Sequence, residues 1–412
     1  MGIWLAAITT AQQPSASAYD PDSVELDHPA IAYRQAPRSD AAAELNRRLQ
    51  AGTAALKFDG PSGYLRSLLE LLDIPLDSQM AVYSKTSLQT PLITPANPRT
   101  IFFNDTVSVG WMRGGMIEVA ALDPVFGVGF YVLPPVPMAT PFLRSEMGCA
   151  SCHHSAGAEG VPGFLLRSVP AARDGTPMPW LGNAIMDHRT PTEERWGGWY
   201  VTGATGSQKH LGNLVLADRR AQEVPPFSSE QTLTTLAGRF DTSGYLSEHS
   251  DVVALLVFEH QARAMNLITR SGWLARIAAS DPAPAHRARL IAAVNELADY
   301  LLFVGEAPID HVRGTSGFAQ RFSAQGPRDS KGRTLRELDL QQRLMRYPCS
   351  YVVYSAAFDA LPQSAREMVL RRMKRILSGE DRAARYAHLT PPARQSVLEI
   401  LRQTKKNLPA WF

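Results

Sequence analysis

The spacing of hydrophobic and polar positions changes character along the chain. Apolar residues recur at helical spacing over 41–57 and 62–73, which predicts two amphipathic helices, the second with Ser62 as its N-cap. Residues 85–99, rich in Pro, Thr and Ser, read as a loop. The period then shortens. Thr100–Phe103, Thr106–Met112, Met116–Leu122 and Val128–Leu133 are short β-type runs. Asn104-Asp105, Gly114-Gly115 and Asp123-Pro124 with Gly127 separate them, which predicts an antiparallel meander. Pro134, Pro135 and Pro137 end it. Residues 154–225 follow no clear period and are rich in Gly, Pro, Thr and Trp, so a functional or wrapped segment is expected there. From about 226 the helical period returns, over 230–238, 250–270, 283–304, 337–346, 363–378 and 391–404. Thr390-Pro391 is an N-cap and first-turn pair, and Gly379 follows a basic last turn.

These elements give a mainly α fold class with a small antiparallel β-meander in a larger, loop-rich chain. The expected organisation is a possible signal peptide (1–18), an N-terminal arm and helices (19–95), the meander (96–136), a central segment (137–225) and a helical C-terminal region (226–412).

Composition narrows the function. The 412 residues are 45% hydrophobic and 20% charged with a net charge of +3, the profile of a globular protein and not of a nucleic-acid binder. Apolar runs such as Val252–Phe258 are far too short to span a membrane, so no transmembrane anchor is expected. Met1–Ile8 followed by Ala16-Ser17-Ala18 looks like the tail of a signal peptide cut after Ala18. No Lys or Arg precedes the apolar stretch, which fits equally a start set downstream of the true one or an ordinary N-terminal tail.

The strongest chemical signal is Cys149-Ala150-Ser151-Cys152-His153. This C-x-x-C-H spacing is that of covalent c-type haem attachment, with Cys149 and Cys152 bonded to the haem and His153 as proximal iron ligand. Such attachment is normally made outside the cytoplasm, so a periplasmic or otherwise exported location is expected. Two rivals use the same cysteines. A zinc site would draw on His154, His188 or His210. A thioredoxin-like pair would need a βαβ setting that Pro141–Gly148 does not suggest. The third cysteine, Cys349, has aromatic and apolar neighbours and is expected to be a buried thiol. Only one C-x-x-C-H is present, so the chain lacks the two-haem division of labour of bacterial di-haem peroxidases.

Four residues are candidates for the other side of the iron. Met178 sits in a Pro-flanked loop, His188 follows an acid in Met186-Asp187-His188-Arg189, and His210 lies in the irregular segment. His260 falls on the apolar face of a helix with Val253, Leu256, Val257, Ala264 and Leu267. Each has an ordinary packing or hydrogen-bonding alternative. The cluster Arg195, Trp196, Trp199 and Tyr200 could pack a macrocycle or simply fill a core. Arg144, Arg167 and Arg195 are candidate propionate partners.

A wider likeness is carried by Arg99–Gly115, Val161-Pro162-Gly163 with Arg167-Ser168-Val169, Asp187-His188 with Glu194–Gly203, Glu259-His260-Gln261, Gly314–Phe318 and Arg346–Tyr354. These stretches resemble a family of exported bacterial monohaem proteins for which no reaction is established. The resemblance spans most of residues 30–412. It implies one covalent haem c at Cys149, Cys152 and His153 and a cytochrome-c-like core within a larger chain. It also favours His188, His210 and His260 over Met178, which lies outside the matching stretches.

The expected function is that of a periplasmic monohaem c-type cytochrome in electron transfer, with a redox partner protein or a small-molecule substrate. Two alternatives stand beside it. One is a peroxidase- or oxygenase-like haem enzyme with an open iron site and His260, His188 or His210 as acid/base. The other is a haem-based binder of small ligands.

Overall fold

The computed structural model describes residues 23–139, 141, 143–145, 147–228 and 231–412, without the side chains of Arg144, Ser145 and Met147. The expected signal peptide (1–18) lies outside the described residues, as do the first positions of the arm. No helix among the described residues is long and apolar enough to cross a membrane.

The architecture is mixed α/β and not mainly α. Helix accounts for 36% and strand for 14% of the residues. The meander is the centre of a larger antiparallel sheet. Its strands are β1 (Met80–Val82), β2 (Arg99–Phe103), β3 (Val107–Trp111), β4 (Ile117–Asp123), β5 (Gly127–Leu133) and β6 (Arg144–Ser145). A seventh strand, Trp199–Tyr200, pairs outside β1 through Ala81↔Tyr200 and Val82↔Trp199. The sheet therefore draws both edge strands, Arg144–Ser145 and Trp199–Tyr200, from beyond residue 136, and one inner strand, Met80–Val82, from before residue 96. All three extra strands are too short for alternation to reveal them, since two or three residues do not establish a period.

The two faces of the sheet differ because side chains alternate. Phe102, Val109, Trp111, Val119 and Leu133 pack on helices α1 (Ala41–Gln50) and α2 (Leu65–Leu71). Asp40 caps α1 by accepting from Ala42 and Ala43 N–H, and Gly52 at φ 70° follows its end. Ser62 is not the cap of α2. It sits in a 3-10 turn and its hydroxyl donates to the Asp59 carbonyl.

Met80, Val82, Ile101, Phe103, Leu122, Val128 and Phe130 lie on the opposite face, in the main core with the C-terminal helices. The centre of that core is α4 (Val252–Ser280), 29 residues long and apolar on nearly all sides, as a fully buried helix must be. Asp251 caps it through Val253 and Ala254 N–H and also accepts from Thr315 and Ser316 N–H. Helices α5 (Pro284–Leu301), α6 (Phe318–Ala324), α7 (Ala356–Asp359), α8 (Gln363–Leu377) and α9 (Pro391–Thr404) follow, and Thr390 caps α9 as expected.

Two expected helices do not form. Residues 231–238 run as irregular chain, with Leu233 bridged to Thr202 and Leu236 N–H bonded to Glu248. Residues 337–346 fold back on themselves through a Leu338↔Met345 bridge, with Leu340 at φ 59°. In both, tertiary pairing overrides a helix-like period.

The haem motif is likewise not housed in a helical cytochrome-like core. Its residues form one 3-10 turn, Met147–Cys149, and the four-residue helix α3 (Ala150–His153), against the sheet.

Candidate haem site

Cys149, Cys152 and His153 line one cavity of about 380 Å³, within the size range of small-molecule and cofactor pockets. Its walls come from the sheet (Val82, Ile101, Ala120, Phe130), from the loop after the motif (Phe164, Leu166) and from Trp199 and Phe258. The sheet is shaped for this. On the cavity side β3 and β4 carry Ser108, Gly110 and Ala120, whereas their reverse side carries Val109, Trp111 and Val119. Arg99 crosses over Gly110 so closely that a Cβ there would lie 2.4 Å from a guanidinium nitrogen.

His153 is held as a metal ligand is held. Its Nδ1 is 2.9 Å from the Gly163 carbonyl oxygen, which can only accept, so the proton sits on Nδ1. The lone pair of the neutral ring is then on Nε2, which makes no hydrogen bond among the described residues. Burial pushes the ring's pKa down and favours that neutral form. A ring nitrogen fixed by a backbone carbonyl is the usual outer support of a metal-binding histidine. Phe130 packs on the ring with centroids 4.9 Å apart.

The loop that offers Gly163 is itself pinned. Asn266 on α4 accepts from Phe164 N–H (2.9 Å) and donates to Phe164 carbonyl (2.7 Å). A Cβ on Gly163 would lie 2.3 Å from Asn266 Oδ1. Glu159, four residues earlier, is gripped by Arg263 (2.7 Å) and Arg270 (3.1 Å) of α4.

Polar groups gather at one part of the cavity. Arg99 pairs with Glu118 at 2.6 Å, and Lys85, Ser87 and Arg167 also line it. The Glu118 carboxyl is half-buried, but Arg99 and hydrogen bonds from Ser87 and Gln89 draw its pKa below the ordinary value. The Nε of Arg99 is buried without a hydrogen-bond partner. A buried guanidinium donor left over beside an apolar slot is suited to a carboxylate. The residues present therefore fit a haem: two thiols and an imidazole to attach it, an apolar slot, and basic groups for its propionates.

Arg167, a candidate propionate partner, lines the cavity with its Nε bonded to Asn183. Arg195 does not. It is buried against Glu259 at 3.1 Å, with Trp196 Nε1 donating to the same carboxylate. The Arg144 side chain lies outside the described residues. Of the aromatic cluster, Trp199 reaches the cavity, while Trp196 packs on His210 and Tyr200 on Tyr83. Arg99, Glu118, Ser108, Gly110 and Ala120 were not singled out from sequence. The available signal was an arginine in alternation with inward Ile101 and Phe103.

The four sixth-ligand candidates are elsewhere. His188 and His260 face each other, Nδ1 to Nδ1 at 2.7 Å, in a buried cluster. His260 Nε2 lies 2.7 Å from Ser350 Oγ, and His188 stacks on Tyr300 with centroids 4.1 Å apart. Burial drives the pKa of His260 down to about 3 and that of His188 well below its ordinary value, so both rings are neutral. His188 Nε2 has no partner. His210 is wedged between Trp196 and Phe227. Met178 is fully buried with Ala172 and Leu216. No described side chain lining the cavity is a second His or a Met.

The zinc reading finds no donor set. His154 turns to the Val24 carbonyl at 2.8 Å, and no three His, Cys, Asp or Glu side chains converge among the described residues. Cys349 is fully buried, which pushes its thiol pKa up and makes it inert.

Comparison with protein-family models, curated proteins and solved structures finds no match. The likeness to exported monohaem proteins therefore rests on the residues named above.

Proposed function

We propose that the protein carries one covalent haem c on Cys149 and Cys152, with His153 as an iron ligand, and acts in redox chemistry outside the cytoplasm. The observation that carries this is the joint placement of Cys149, Cys152 and His153 on the wall of one cavity, with the His153 tautomer set by Gly163. When bound, the haem would supply one-electron chemistry and an iron centre for small ligands. The chain's own residues would hold the macrocycle, exclude water and neutralise its carboxylates through Arg99, Arg167 or Lys85.

Electron transfer to a protein or small-molecule partner is the simplest redox role. A specific observation favours the second reading, an iron site open to small ligands. The described side chains of the cavity include the Arg99–Glu118 pair but no second His or Met. Spectra of the ferric and ferrous protein test this. A high-spin spectrum that shifts with CO or cyanide supports the open site. A low-spin spectrum with a Met-sulfur band contradicts it and leaves the carrier.

A further inference from the structure

A second and larger cavity, about 940 Å³, opens between α2, the Phe103–Thr106 turn, α6 and the start of α7. The haem site has no part in it. The two cavities share one wall, the Phe103–Phe258 pair, with ring centroids 4.5 Å apart.

Its lining is aromatic and continuous. Phe103 contacts Phe318 (5.5 Å), Phe318 stacks on Phe322 (5.7 Å, 17°), and Phe322 meets Tyr351 edge-on (5.0 Å). Arg336, only 6% exposed, lies over Tyr351 at 4.3 Å and over Phe322 at 4.8 Å. It bonds to Asp105 and Gln325, which leaves further N–H donors on its planar fork. At the base, Tyr351 O–H donates to Gln261 Oε1 at 2.5 Å, so these two groups satisfy each other.

Charge decides the class of ligand. Arg336 is paired with Asp105 and Arg321 with Asp77, and Glu70 and Asp73 stand at the edge. A strong anion gains little here. A neutral planar ring gains apolar contact with this lining, and an oxygen on it gains a charge-assisted hydrogen bond from Arg336. We propose that this cavity binds a neutral planar aromatic molecule bearing hydroxyl or carbonyl oxygen, of the phenol or quinol class. The assignment stands without the haem.

The test is calorimetric titration of the full-length protein with 2-naphthol, and with naphthalene-2-sulfonate as the anionic match. Saturable one-to-one binding of 2-naphthol is expected, weaker for the sulfonate. Thr106→Trp, which fills the cavity from the turn, should weaken binding about tenfold or more, about 1.4 kcal/mol. Arg336→Gln should weaken it severalfold. Because either variant could unfold, hydrogen exchange in the wild type provides a second readout, with slowing expected over Phe318–Gly326 on binding. No saturable binding, a preference for the sulfonate, undiminished binding by a folded Thr106→Trp, or no change over Phe318–Gly326 each overturns the proposal.

Discussion

His153 Nδ1 donates to the carbonyl of Gly163 across a 2.9 Å hydrogen bond, and Gly163 N–H donates back to the His153 carbonyl at 3.0 Å. Ten residues of chain thus close on themselves and fix the ring of His153, a residue of the cavity wall. Gly163 is glycine because a Cβ would strike Asn266 Oδ1 at 2.3 Å. Gly163→Ala should therefore leave covalent haem attachment intact, since the thiols are untouched, while changing the imidazole's hold on the iron. The midpoint potential and the ferrous spectrum check this. Values equal to the wild type would show that the loop does not position His153.

Gly110 on β3 gives a complementary expectation. Gly110→Val places a branched side chain where Arg99 runs, with overpacking of roughly 1–3 kcal/mol. It also displaces Arg99, which lines the cavity. Lower haem content per protein, with a reduced denaturant midpoint, is the expected outcome. Full haem loading would show that Arg99 in this position does not hold the macrocycle.

The buried histidine pair sets a pH dependence. The folded-state pKa of His260 is near 3, whereas an unfolded histidine titrates near 6.5. Between those values the unfolded chain binds the extra proton, so stability rises with pH and is lost as pH falls below about 6.5. His188 acts in the same direction. Buried Glu259, raised to about 7, acts in the opposite sense between about 4.5 and 7. His260→Gln removes one group and leaves the others, so its stability should fall less on acidification, by up to ~1.4 kcal/mol per pH unit. Denaturant unfolding at pH 7 and pH 5 measures the difference. Parallel pH dependence in variant and wild type would show that His260 is not neutral in the fold.

Much of the chain was legible from its periods. The four meander strands lie within a residue or two of their expected bounds, because alternation and turn residues agree there. The helix expected over 391–404 is found there, since cap, first-turn proline and apolar spacing coincide. What failed was what depends on distant partners. Met80–Val82 becomes a strand by pairing with Arg99–Phe103, and Trp199–Tyr200 by pairing with Met80–Val82 at the sheet edge. Residues 337–346 have a helical period but close as a bridged turn. Those added strands and lost helices turn an expected mainly α chain into an α/β one. The site shows the same division. The pentapeptide stood out because its spacing is complete within five residues. The far side of the cavity was not. Arg99 and Glu118 are 19 positions apart and meet only through the register Ile101↔Gly110↔Glu118. His260 looked like a ligand because it is a polar ring on an apolar helix face, and His188 because it sits in a loop beside an acid. In the fold their Nδ1 atoms share one hydrogen bond, and His188 Nε2 is left without a partner.

The central claim is covalent haem at Cys149 and Cys152, and it is tested by producing the protein, exported behind a host signal sequence, with a cytochrome c maturation system. The intact mass and the haemochrome spectrum of the purified protein are then read beside those of Cys149→Ser/Cys152→Ser. The account predicts a wild-type mass raised by one haem, located by digestion to the peptide spanning Cys149–His153, with a c-type spectrum that the double variant lacks. A wild-type protein that matures without haem on that peptide contradicts it.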